Sequence, residues 1–130
     1  MSHSRVPDCE DIYTVDTPML GTEGVTAVYV LDTPEPTIVD TGAADAVDAI
    51  FDALDSLGLD REAISYIVPT HAHLDHAGGA GYLADACKNA TVVCHEQAHP
   101  YLTDEAKLAH LAESVNRAIG IDSPYGEPTT

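Results

Sequence analysis

Hydrophobic residues recur along this chain at two periods, and the changes between them mark out its elements. Residues 43–57 carry the clearest helical period, with Ala46, Val47, Ile50, Phe51, Leu54 and Leu57 on one stripe and Asp45, Asp48, Asp52 and Asp55 on the other. Gly58 is placed to end that helix. Ahead of it, Asp11–Val15, Val25–Leu31 and Thr37–Asp40 read as strands. The second of these is apolar at successive positions, as a central strand covered on both faces would be. Gly21 and Gly24 bracket one turn and Asp32–Pro36 forms another. After the helix come a strand at Ile64–Val68, a polar histidine-rich turn, a helix near 79–88, a strand at Thr91–Cys94 and a helix over 104–119. Residues 121–130, with Pro124, Gly126 and Pro128, read as an irregular tail. Strand–helix alternation in the second half predicts an α/β fold, and the clustered early strands predict a mixed β-sheet with an antiparallel portion.

Composition narrows the class. At 130 residues the chain has room for one core. A 45% hydrophobic share excludes an acidic disordered tail. The net charge of −17, from 22 acidic and 5 basic residues, repels phosphate backbones and anionic lipids, so neither nucleic acid nor a membrane is an expected partner. The acids are dispersed rather than blocked, which reads as a solvated shell of the kind that suits concentrated salt, and hence a halophilic source. Cys9, Cys87 and Cys94 are odd in number with no Cys-x-x-Cys pair, which points to a reducing, cytoplasmic setting. Met1–Arg5 leads into no hydrophobic stretch of a signal peptide. Cys87 and Cys94 read as small buried hydrophobes.

One segment stands apart: Thr70-His71-Ala72-His73-Leu74-Asp75-His76-Ala77-Gly78-Gly79. It follows the strand ending at Val68, and in open α/β sheets ligands gather beyond the carboxyl ends of strands. In extended chain residues i and i+2 point the same way, so His71 and His73 can reach one metal ion. Asp75 and His76 follow a change of direction and can serve a second. Imidazole with carboxylate suits zinc, iron or manganese. The small residues Ala77, Gly78 and Gly79 let the backbone turn tightly. Asp40, at the end of its own strand, can orient a histidine or tie down backbone amides; as a helix-start aspartate it has no metal role.

The His-x-His-x-Asp-His segment resembles the signature of the metallo-β-lactamase superfamily, the metallo-hydrolases that include glyoxalase II-like proteins, and Thr37–Gly42 followed by a helix and a strand resembles its N-terminal half. The resemblance covers roughly residues 11–120. It implies an αββα sandwich, of which residues 1–130 would be the N-terminal half. It further implies His71 and His73 as ligands of a first metal, Asp75 and His76 as ligands of a second, and Asp75 as the catalytic residue that also orients the attacking water. The expected cofactor is zinc, as one or two ions, and the expected reaction is hydrolysis of a small thioester, ester or lactone.

The family's third first-site histidine normally lies in a Thr-Pro-Gly-His-like stretch, which this sequence lacks. The remaining ligands are therefore expected from a missing C-terminal half or from a second copy in a homo-oligomer. The rival reading is a non-catalytic metal-binding or assembly module. His95 and His99, four residues apart, read as ordinary helical neighbours, His110 as a structural residue in mid-helix, and His3 as part of a flexible terminus.

Overall fold

The computed structural model describes residues 3–121 and 123–130. Among the described residues six strands form one sheet in sequential order: β1 His3–Arg5, β2 Ile12–Met19, β3 Thr22–Leu31, β4 Thr37–Val39, β5 Tyr66–Val68 and β6 Thr91–Val92. β1 to β4 pair antiparallel, whereas β4, β5 and β6 pair parallel. Short turns can join the first four; a parallel pair needs a crossover, which helices supply here. α1 Val47–Ser56 links β4 to β5, and α2 Leu74–Ala77 with α3 Ala80–Ala86 link β5 to β6. α4 His99–Thr103 and α5 Glu105–Ile119 follow. The sheet is mixed and the fold α/β, as its pattern implied.

α1 shows how the sequence sets its own limits. A 3-10 turn at Ala44–Ala46 leads into it. Its stripe of Ile50, Ala53 and Leu54 is fully buried, while Asp45, Asp48, Asp52 and Asp55 face solvent. Gly58 takes φ 71°, Gly58 N–H donates to Asp55 O and Leu59 N–H to Leu54 O, so the last carbonyls are satisfied in a left-handed cap. Val15, Val28, Val30, Ile38 and Ile67 of the sheet meet Ile50, Leu54 and Leu83 of α1 and α3 to form the core.

Several expectations are corrected. β3 begins at Thr22, because Leu20 and Gly21, with φ of 51° and 76°, make a tight hairpin turn that matches strand twist. Nor is β3 covered on both faces: Val28 and Val30 are fully buried, but Val25 is 50% and Tyr29 44% exposed. Its apolar outer face, shared with Tyr66 and Val93, stays well exposed, with Tyr66 at 37% and Val93 at 45%. His3 is no loose terminus but pairs opposite Val15; three polar residues at a sheet edge leave no periodic signature. β6 stops at Val92, leaving Cys94 half-buried outside the strand, whereas Cys87 is fully buried and burial pushes its thiol up, with Arg61 opposing. His110 is exposed on α5 rather than packed.

Residues 123–130 contain no helix or strand but are docked, with Asp45 N–H donating to Tyr125 O and the Tyr82 hydroxyl to Glu127 O. No helix among the described residues is long and apolar enough to cross a membrane.

The exposed acids carry a measurable consequence. Raising salt from about 0.01 M to about 1 M shortens the Debye length from roughly 30 Å to roughly 3 Å and removes most self-repulsion. A melting series is expected to show Tm climbing by about 4 °C for each kcal/mol of relieved repulsion. A salt-independent Tm would show that the charges are already balanced locally.

Candidate metal centre

The histidine segment occupies the carboxyl end of the parallel strands. After β5 the chain bends through Thr70, His71 and Ala72 instead of running on extended, and His73 is the N-cap of α2, so His71 and His73 precede the helix while Asp75 and His76 lie within it. The change of direction expected after His73 is thus a single helical turn, which the polar sequence had concealed. The ring of His71 lies 5.0 Å from that of His73 and 4.5 Å from that of His76.

Asp40 organises this cluster. It ends β4 with φ 66°, a left-handed conformation that aspartate tolerates better than most residues, and its N–H donates to Val68 O at 2.9 Å. Its Oδ1 accepts from the Thr70 N–H and hydroxyl, both at 2.8 Å, and its Oδ2 lies 3.1 Å from His76 Nδ1. A carboxylate only accepts, so Nδ1 of His76 carries a proton, and the neutral ring has its lone pair on Nε2. Thr70 gives its one hydroxyl proton to Asp40, so at 2.9 Å from His71 Nδ1 it must accept. His71 is thereby fixed in the same tautomer. Hydrogen-bond accounting leaves both Nε2 atoms free for a cation.

The spacing fits one. His76 Nε2 lies 3.4 Å from Asp75 Oδ2. Two ligands each about 2.0–2.1 Å from a tetrahedral zinc stand about 3.3–3.4 Å apart. Ligand atoms of Asp40, His71 and His76 all lie within 4.8 Å of one another. His73 lies outside that trio. The Asp40 oxygens are already engaged by Thr70 and His76, an arrangement in which a carboxylate orients a metal-binding imidazole.

Small residues bring the two strand ends together. Thr41 N–H and hydroxyl both donate to His76 O, at 2.8 and 2.9 Å, and Gly79 N–H donates to Gly42 O at 3.1 Å. A Cβ on Gly79 would stand 2.7 Å from both Thr41 O and Val47 Cγ1. Gly79→Ala is therefore expected to cost about 1–3 kcal/mol, read as a lowered urea midpoint with unchanged m-value. Wild-type stability would mean that α2 can shift away from β4.

Beside the cluster opens a cleft of about 590 Å³, lined among others by His71, His73, His95, Gln97, Tyr101 and Leu111. His95 is not helical: it precedes α4, and its Nδ1 accepts from Gln97 N–H at 3.0 Å. Sequence reasoning discounted it and missed Thr70, Tyr101 and Leu111. The available signals were that His95 follows a strand at the same sheet edge as the motif and that Thr70 directly precedes its first histidine.

A model of the metallo-β-lactamase superfamily matches residues 20–128, and the chain belongs to that superfamily. A relative in mouse, metallo-beta-lactamase domain-containing protein 1, is 38% identical over 61 residues, 47% of this chain and 22% of its own length. BJP-1, a subclass B3 metallo-β-lactamase of Bradyrhizobium japonicum, is 28% identical with TM-score 0.63 over 78% of this chain and 36% of its own. A B3 metallo-β-lactamase with an active-site glutamic acid is 27% identical, with TM-score 0.65, over 78% and 35% respectively. The chain thus spans about a third of the length of these structures and about a fifth of the mouse relative.

Proposed function

We propose that this chain is the N-terminal half of a metal-dependent hydrolase domain whose metal ligands include His71, His73, Asp75 and His76. The observation that carries this reading is the Asp40–Thr70 network, which frees Nε2 of both His71 and His76 beside the Asp75 carboxylate. Zinc, as one or two ions, matches this donor set and the 3.4 Å spacing; iron or manganese suits the same donors. When bound, such an ion polarises a carbonyl and lowers the pKa of water to about 7. Asp40 keeps the proton on His76 Nδ1 and fixes the Thr70 backbone. Asp75 accepts a hydrogen bond from the attacking water and so orients it.

Small thioesters, esters or lactones are the substrates that suit a cleft of about 590 Å³ in a strongly acidic chain. The remaining ligands come from a C-terminal half or a second copy. The free cysteines fit a reducing, cytoplasmic setting, and the acidic shell fits a salt-rich one. The test is metal content and thioester hydrolysis of the complete protein. Stoichiometric zinc and loss of hydrolysis on chelation, restored by zinc, are expected; full activity after chelation would sink the reading.

A further inference from the structure

We propose that His95 and the α4–α5 hairpin form the acyl side of this site, with the imidazole of His95 donating to a substrate oxygen and Ala98, Tyr101 and Leu111 holding an apolar acyl or aryl group. The inference rests on the hydrolase reading above and names the chemistry of its substrate.

Three observations carry it. His95 faces the same cleft as His71 and His73, and its Nδ1 is occupied by the Gln97 N–H, so the proton of the neutral ring sits on Nε2 as a free donor. Part of the lining is apolar, made by Ala98 of the turn, Tyr101 of α4 and Leu111 of α5. Finally, the chain has 22 acidic residues, yet none of the nine that line the cleft is acidic. Lys107, one of only five basic side chains, has its Nζ 5.8 Å from the centroid of the Tyr101 ring. A carbonyl group, and the carboxylate released from it, therefore meets the His95 Nε2–H and no cleft-lining acid there, while its hydrocarbon part meets the hairpin. The volume of about 590 Å³ lies within the range for small-molecule sites, roughly 300–1,000 Å³.

Acetate and hexanoate, the acids released from a short and a longer acyl substrate, are suitable probes. They are titrated into the zinc-free and zinc-supplemented protein and followed by NMR shifts of the His95, Tyr101 and Leu111 side chains. Hexanoate has four more methylenes, and partial burial of these is expected to tighten binding by at least about tenfold. Tyr101→Ala is expected to reduce that preference to about twofold, with Leu111→Ala as the second variant should the first fail to fold. His95→Asn retains an acceptor for the Gln97 N–H but withdraws the Nε2 donor. It is expected to weaken both acids by about tenfold with an unchanged fold. Equal affinity for the two acids, absence of binding, shifts confined to other residues, or wild-type affinity in His95→Asn would each overturn the proposal. Zinc stoichiometry is read separately: loss of zinc binding with hexanoate preference retained condemns the metal reading alone, and the converse condemns the acyl wall alone.

Discussion

Alanine at both His71 and His73 is expected to abolish stoichiometric zinc and to lower hydrolysis by at least about 1,000-fold, since loss of a ligand's outer partner alone costs about 10–100-fold. The two imidazoles lie close together, with ring centroids 5.0 Å apart, and both side chains are exposed beside the cleft. Removing them creates no buried cavity, so folding stability should change by no more than about 0.5 kcal/mol. Metal analysis, thioesterase kinetics and a urea melt on the same preparations check the three statements. Activity and zinc retained together would remove both residues from the site. Loss of both with a collapsed melt would instead mark them as structural.

Asp40→Asn tests the network behind the ligands. Asparagine fills the same space and also tolerates φ 66°. It replaces an acceptor-only group by one acceptor and one donor. If its oxygen faces Thr70, its NH₂ faces His76 Nδ1, drives the proton to Nε2 and blocks the lone pair that a cation needs. If it turns over, the NH₂ meets the N–H and hydroxyl of Thr70, and the fix on His71 is lost. Neither orientation satisfies both partners, so zinc affinity is expected to fall by about 10–100-fold. Zinc competition against a chelator measures the loss, and imidazole ¹⁵N shifts report the tautomers. Wild-type affinity with an unchanged His76 tautomer would mean that Asp40 only braces the backbone.

What the sequence disclosed follows from what local patterns encode. α1 was legible because Val47, Ile50, Phe51, Leu54 and Leu57 repeat at the helical period and Gly58 supplies the left-handed cap. The four residues of the histidine signature stand out in the sequence because their types and spacing are chemically unusual, and the structure groups two of them, His71 and His76, with Asp40. The α2 helix around Asp75 and His76 was hidden, since one helical turn is too short to show a period. Thr70 was hidden for another reason: its role exists only once β4 and β5 lie side by side and bring Asp40, thirty residues earlier, into reach. His95 and Tyr101 join the cleft through the path of the chain after β6, which no periodicity predicts. The second face of β3 misled because Val25 and Tyr29 are written in the same apolar vocabulary as Val28 and Val30, and only the three-dimensional cover separates them.

That outer face sets two kinds of stability against each other. Dilute buffer strains each folded chain through its −17 charge, yet the same charge keeps neighbouring molecules apart. Added salt relieves the first effect and cancels the second, while the attraction between apolar surfaces such as Val25, Tyr29, Tyr66 and Val93 is not screened. Conditions that make the individual molecule hardest to unfold are therefore those in which its solutions are least reluctant to self-associate, and the useful ionic strength for handling it lies between the two.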